Sequence, residues 1–237
     1  MTYSILVHDA ATGAFGAAVA SRFFAVGALC TYAEGGVGAL STQALINPQY
    51  GPDGMALLRA GASAASVVAT LVDQDPGREQ RQLHVIDAAG RVAQHTGPHC
   101  VTWAGHQKGE HISVAGNMLA GPAVLDAMLQ GYAAATGSVA ERLIAALQAG
   151  EDAGGDKRGK QSAAVRVHTR DAFPDIDIRA DDHPDPLAEL RRLHRISLER
   201  FAVFRGMMAG RERGWGVLDR TLIEAAVARD GKPPTQG

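Results

Sequence analysis

Cysteine is almost absent from this chain. Cys30 and Cys100 are the only two, too few and too widely separated for a disulfide framework or a zinc knuckle, and both read as buried thiols. Aromatic residues make up 5% of the sequence, which favours a close-packed layered sheet-and-helix fold over an aromatic-rich binding platform. Neither sign of charge is in excess: 23 Lys and Arg stand against 25 Asp and Glu, a net charge of -2. That balance argues against a nucleic-acid footprint, which needs a basic face. No apolar run approaches the roughly 18 residues of a membrane span. The N-terminal segment also lacks the basic region and unbroken apolar stretch of a secretory signal. A cytoplasmic protein with no membrane partner is the expectation.

Motif spacings are missing too. There is no HExxH and no CxxC. His95, His99, His106 and His111 are close in sequence, but His95 and His99 read as strand and turn, not as one helix face. "GGDKRGKQS" resembles a phosphate loop in composition only, because the GxxxxGK[ST] spacing is absent. No metal and no cofactor are expected.

Glycine (28 residues) and small apolar residues abound, and 46% of the chain is hydrophobic. With 237 residues, one large domain or one domain with an appendage is expected. "TYSILVHD" and "AFGAAVASRFF" read as two strands around a turn with Gly13. Val37 to Leu45 is a third apolar run, and "INPQYGPDG" reads as a loop. Met55, Leu58, Ala62, Ala65, Val68 and Leu71 recur at helical spacing and predict one helix. "QLHVIDAAGRVAQHTG" reads as a hairpin and "HISVAGNML" as a strand entering a loop. Helices follow near Pro122 to Ala135 and Val139 to Ala149. Next come a glycine-rich charged loop, the strand "SAAVRVHT" and the short strand "DIDIRAD". Asp185 and Pro186 then open a long helix running into "FRGMM", with a short helix near Val217 to Ala228 after it. Runs of adjacent strands imply antiparallel pairing, with helix clusters layered on the sheets. A four-layer α-β-β-α sandwich fits this order, and a two-layer α+β domain fits almost as well. The C-terminal helices either cover an edge or build a contact in a homodimer.

Five blocks of the sequence carry a resemblance. "MTYSILVHDAATGAFGAAVASRFFAVGA", "GVGALSTQALINPQYGPDG", "AGNMLAGPAVLDAM", "AGGDKRGKQSAA" and "DDHPDPLAELRRL" resemble the bacterial domain-of-unknown-function 1028 family from about residue 2 to residue 205. The resemblance implies a place among the N-terminal nucleophile (Ntn) hydrolases, αββα amidohydrolases whose first mature Thr, Ser or Cys attacks an amide. It implies an α+β sandwich, which with the element order places that domain at residues 2–183, a helical extension at 184–230 and a polar tail at 231–237.

Under that resemblance Thr2 becomes the nucleophile of a C–N amide hydrolase acting on a small molecule or peptide. A threonine hydroxyl is a weak nucleophile until a base takes its proton. An α-amino group, with a pKa of about 7.7 to 8.0, can be that base on the same residue. The stiff χ1 of a β-branched side chain keeps the hydroxyl aimed. Removal of Met1 is required, and the bulky Tyr3 follows Thr2. Without the resemblance, Thr2 reads as a strand starter.

Other polar residues fall into place around it, each with a plainer reading. Arg22, after Ser21, can keep the amine neutral and grip a carboxylate with two hydrogen bonds; a structural ion pair is the alternative. Asn117 can donate to an oxyanion or form a turn beside glycine. Asp156 can orient the amine, and Lys157 and Gln161 can meet substrate, unless the whole loop is a solvated charged surface. Ser41 and Gln43, within an apolar strand, imply a substrate pocket or a lattice of core hydrogen bonds. A non-catalytic binding or scaffold protein with the same fold is the competing reading. The catalytic reading predicts that untagged protein made in cells yields an N-terminal peptide beginning at Thr2. A peptide mass still including Met1 leaves the hydroxyl without its base.

Overall fold

A computed structural model describes residues 2–156 and 158–231. The chain divides into two compact units on either side of Leu190 and Arg191. The first unit begins with strands β1 (Thr2–Asp9) and β2 (Ala14–Ser21). Helix α1 (Val26–Cys30) leads into β3 (Thr31–Glu34) and β4 (Gly38–Ala44). Helices α2 (Tyr50–Arg59) and α3 (Ala64–Gln74) precede β5 (Arg81–Asp87), β6 (Val92–Thr96), β7 (Gly105–Gly109) and β8 (Ile112–Asn117). Helices α4 (Ala123–Ala134) and α5 (Val139–Asp152) are followed by β9 (Ser162–His168) and β10 (Ile176–Ala180). Helix α6 (Pro186–Ser197) starts in this unit and continues into the second, which also holds α7 (Phe201–Met207) and α8 (Arg220–Asp230). No helix among the described residues is long and apolar enough to cross a membrane.

Two antiparallel sheets form the first unit, one ordered β10-β9-β2-β1-β8-β7 and the other β3-β4-β5-β6. The alternation along β1 shows how the layers arise. Tyr3, Ile5 and Val7 join Leu125, Met128, Leu143 and Leu147 of α4 and α5 in one core. On the opposite face Leu6 packs with Phe15, Ala17, Ala39 and Ile86 between the sheets. The second sheet turns Leu40, Leu83 and Val85 towards Met55, Leu58, Val67 and Leu71 of α2 and α3. The result is the four-layer α-β-β-α sandwich and not the two-layer alternative.

Several elements differ from the sequence expectation. The helix expected from Met55 to Leu71 is two helices: Gly61 turns at φ +86°, and the Ser63 hydroxyl accepts from the Ser66 amide to cap α3. The "INPQYGPDG" loop already contains the first turn of α2. Helix α1 and strand β3 had no periodic signal strong enough to be read. Strand β7, "GHQKG", was also missed, because a polar and glycine-rich edge strand lacks alternation. The long C-terminal helix is broken between Ser197 and Phe201. At its start Asp185 does cap, accepting from the Ala188 amide at 3.1 Å.

Helix α5, which backs β1, carries a capping box. The Ser138 hydroxyl accepts from the Glu141 amide, and the Glu141 carboxylate accepts from the Ser138 amide. Ser138→Ala is expected to lower stability by about 1 kcal/mol, read as an earlier midpoint in urea with an unchanged slope.

Candidate active site

Strand β1 is central in its sheet, so its first residue has a neighbour on each side. Thr2 pairs with Ser21 of β2 and with Asn117 of β8. Residues directly opposite across antiparallel strands share a face, so the three side chains form one row at the end of the sandwich. All are nearly buried, Thr2 at 8% exposure, Ser21 at 1% and Asn117 at 2%. The Thr2 and Ser21 hydroxyls are 3.1 Å apart.

Asn117 lines a cavity of about 570 Å³. Its other walls include Ala44, Leu45, Val101 and Met118, with Gln80 at one side. Backbone strain gathers here. Ala44 (φ 71°) and Met118 (φ 57°) are non-glycine residues in the left-handed region, as is Thr102 (φ 42°) beside Val101. Such conformations cost on the order of 1–3 kcal/mol and cluster at functional sites. Two potential reactive groups in the lining are engaged elsewhere. His99 pairs with Glu79 at 3.0 Å. Cys100 donates to the Arg81 carbonyl, and burial raises its thiol pKa, which disfavours a thiolate.

Between the sheets runs a buried polar lattice whose hydrogen directions are fixed by backbone carbonyls. Gln82 Nε2 lies 3.0 Å from the Gly105 carbonyl and 2.9 Å from that of Gly116. Carbonyls only accept, so the amide nitrogen must face them and Oε1 must point the other way. That oxygen accepts from Gln43 Nε2 at 2.6 Å and from Asn117 Nδ2 at 3.2 Å. Gln43 therefore turns its own oxygen to Ser4, whose hydroxyl donates at 2.7 Å. With its one proton committed, Ser4 can only accept from His84 Nε2 at 2.8 Å. His84 Nε2 thus carries a hydrogen; complete burial keeps the ring neutral, so its Nδ1 accepts from the Ser113 hydroxyl at 2.8 Å. Ser113 in turn accepts from Gln94 Nε2, which also meets the Gln107 carbonyl. Every donor in the chain from Gln94 to Gln82 points the same way.

The residues expected at the site are placed as follows. Gln43 belongs to the lattice. Ser41, also between the sheets, is fully buried, and its hydroxyl has no partner among the described residues. Asp156, bridged to Leu119, accepts from the Arg22 amide at 3.1 Å and from the Arg158 backbone and guanidinium. The Arg22 guanidinium donates to the Arg158 carbonyl at 2.8 Å. Gln161 donates its backbone N–H to the Ser21 carbonyl and its side chain to Asp182. Arg22, Asp156 and Gln161 together clasp the glycine-rich loop to the end of β2. Lys157 and Met1 lie outside the described residues.

Gln82, His84, Ser4, Ser113 and Gln94 escaped the sequence reading. Gln82 and His84 alternate with Leu83 and Val85 on β5, which reads as a solvated face. In a sheet covered on both sides, that face is interior.

The sequence matches the family of unknown function DUF1028 over residues 2–190. The chain belongs to that family. No curated protein matches it. A solved DUF1028 protein from Silicibacter pomeroyi is similar at 32% identity and a TM-score of 0.86, covering 92% of this chain and 96% of its own. Anbu, an ancestral beta-subunit from Yersinia bercovieri, aligns at 12% identity and a TM-score of 0.37 over 88% of this chain and 99% of its own. A likeness that distant carries no argument here.

The lattice makes a pH prediction. Burial, with repulsion from His106 added, pushes the His84 pKa from 6.5 down to about 3. The unfolded chain then binds a proton that the folded chain refuses as pH falls below about 6.5. Stability should decline from there towards pH 3, by up to about 1.4 kcal/mol per unit. His8, His106 and His168 are shifted in the same direction. His84→Gln should therefore remove part of the slope in urea titrations between pH 6.5 and 4; an unchanged slope would mean that His84 is not the neutral hub.

Proposed function

We propose that this protein is an amidohydrolase of the N-terminal nucleophile kind, with Thr2 as the nucleophile of C–N bond cleavage in a small molecule or peptide. The observation that carries this reading is the row Ser21–Thr2–Asn117, buried at the end of the central strand, with Asn117 lining the cavity. The reading requires a chain that begins at Thr2. Its neutral α-amino group then takes the Thr2 hydroxyl proton, directly or through a water. Oγ1 attacks the amide carbonyl carbon, and the resulting oxyanion accepts from Asn117 Nδ2. Collapse breaks the C–N bond, the leaving nitrogen takes the proton from the α-ammonium, and an ester remains on Thr2. Water attacks that ester with the same amine as base, releasing the carboxylic acid and restoring the hydroxyl. Ser21 holds Thr2 Oγ1 from the side away from Asn117.

The cavity also bears on substrate class. Ala44, Leu45, Val101 and Met118 suit an apolar acyl group, and no Lys or Arg occurs among the described lining residues. With the Arg22 guanidinium donating to the Arg158 carbonyl, the reading favours a neutral acyl side chain over a carboxylate-bearing one.

Turnover of a panel of N-acyl amides, with intact-mass detection of an acyl ester, tests the proposal. Thr2→Ala should stay folded, form no adduct and lose turnover by roughly 10³-fold or more. Full activity in that variant ends the catalytic reading and leaves the cavity to a non-catalytic binding protein.

A further inference from the structure

Asn117 is useful as an oxyanion donor only if its amide is held still with one N–H turned to the cavity. A free asparagine amide rotates and presents its oxygen as readily as its nitrogen. The structure supplies a restraint. One Nδ2 hydrogen is engaged by Gln82 Oε1 at 3.2 Å, and the second has no protein acceptor among the described residues. Gln82 cannot flip, because the two hydrogens of its own Nε2 face the Gly105 and Gly116 carbonyls, which only accept. Gln82 is itself fully buried, so water does not compete for these bonds. Gly105 and Gly116 are paired partners on β7 and β8, and Gly116 immediately precedes Asn117. A Cβ at Gly116 would lie 2.4 Å from Leu119 Cδ1, so the backbone that orients Gln82 is itself tightly packed.

We infer that Gln82 is a positioning residue of the site: through its carbonyl oxygen it fixes the Asn117 amide so that one N–H points at the oxyanion position. The inference rests on the amidohydrolase reading for its use, but the restraint itself is a property of the folded protein. Gln82 touches no reacting atom in this scheme. It acts by making the alternative amide orientation of Asn117 an oxygen-to-oxygen clash.

Two readouts test it. The first needs no turnover: the side-chain NH₂ signals of Asn117 in ¹H–¹⁵N spectra, assigned by their loss in Asn117→Ala. In the wild type the two protons should be well separated and exchange slowly with each other. In Gln82→Met, which keeps the volume and removes the acceptor, they should move together and exchange faster. Signals unchanged in Gln82→Met overturn the inference, whatever the fate of Thr2. The second is a double-mutant cycle on kcat. Gln82→Met and Asn117→Ala should each lower kcat by roughly tenfold or more, with KM nearly constant. Gln82→Met should then have no further effect in the Asn117→Ala background. An equal loss in that background means that Gln82 acts by general destabilisation, and the inference fails. If Gln82→Met does not fold, Gln82→Glu replaces it. Its Oε1 still accepts from Asn117, and its second oxygen must carry a proton to face two carbonyls. With the acceptor kept, the two Asn117 protons should stay well separated and slow to exchange at pH values where that carboxyl is protonated; merged, fast-exchanging signals there also overturn the inference. Failure of the Thr2 reading shows separately, as full turnover in Thr2→Ala.

Discussion

The carboxamide of Gln82 decides how the interior of this protein is wired. A primary amide donates from one end and accepts at the other, and here both ends are saturated. Two carbonyls from adjacent strands hold the nitrogen, while the oxygen receives Gln43 from its own sheet and Asn117 from the facing one. Because the carbonyls cannot reverse roles, each neighbour inherits its orientation in turn, as far as the tautomer of His84. Sheet-to-sheet registration is thus fixed by hydrogen-bond direction as well as by the hydrocarbon contacts of Leu6, Phe15 and Ile86. Hydrocarbon alone tolerates sliding; a directed lattice does not.

Around this centre the candidate site is made from ends of elements. Thr2, Ser21 and Asn117 are terminal residues of three neighbouring strands, and Ala44 ends a fourth. Strand ends combine the rigidity of the sheet with freedom to leave it, and the left-handed turns at Ala44 and Met118 use that freedom. The clasp of Asp156 on the Arg22 amide and Arg158 ties the glycine-rich loop to the same edge.

Much of the scaffold was legible in the sequence. Strands β1 and β2, the β5–β6 hairpin and helices α4 and α5 carry clean periodicity and ordinary turn or cap residues. The break between α2 and α3 was hidden because Ala62 and Ala65 continue the apolar spacing across Gly61. Strand β7 was hidden because its pairing with β8 comes from the partner and not from its own side chains. At the candidate site, the family resemblance points to Thr2 and residue chemistry to Asn117 and Asp156, but neither says who meets whom. Gln82 and Asn117 are far apart in sequence, and an amide states how many bonds it needs without naming the donors. Residue chemistry reads Arg22 as keeping the amine neutral and gripping a carboxylate, and Asp156 as orienting the amine; the fold joins the two through a backbone N–H.

A buried polar lattice within an apolar core also alters how stability responds to temperature. Unfolding exposes the amides of Gln43, Gln82, Gln94 and Asn117, the hydroxyls of Ser4 and Ser113 and the ring of His84 along with the apolar core. Polar surface lowers the heat-capacity increment, by about 0.26 cal/mol/K per Å², whereas apolar surface raises it by about 0.45. A sandwich filled this way has a smaller increment than one of equal size packed with Leu and Ile. Its stability curve is correspondingly flatter, with less loss on cooling and a broader temperature range over which the strand ends hold their places.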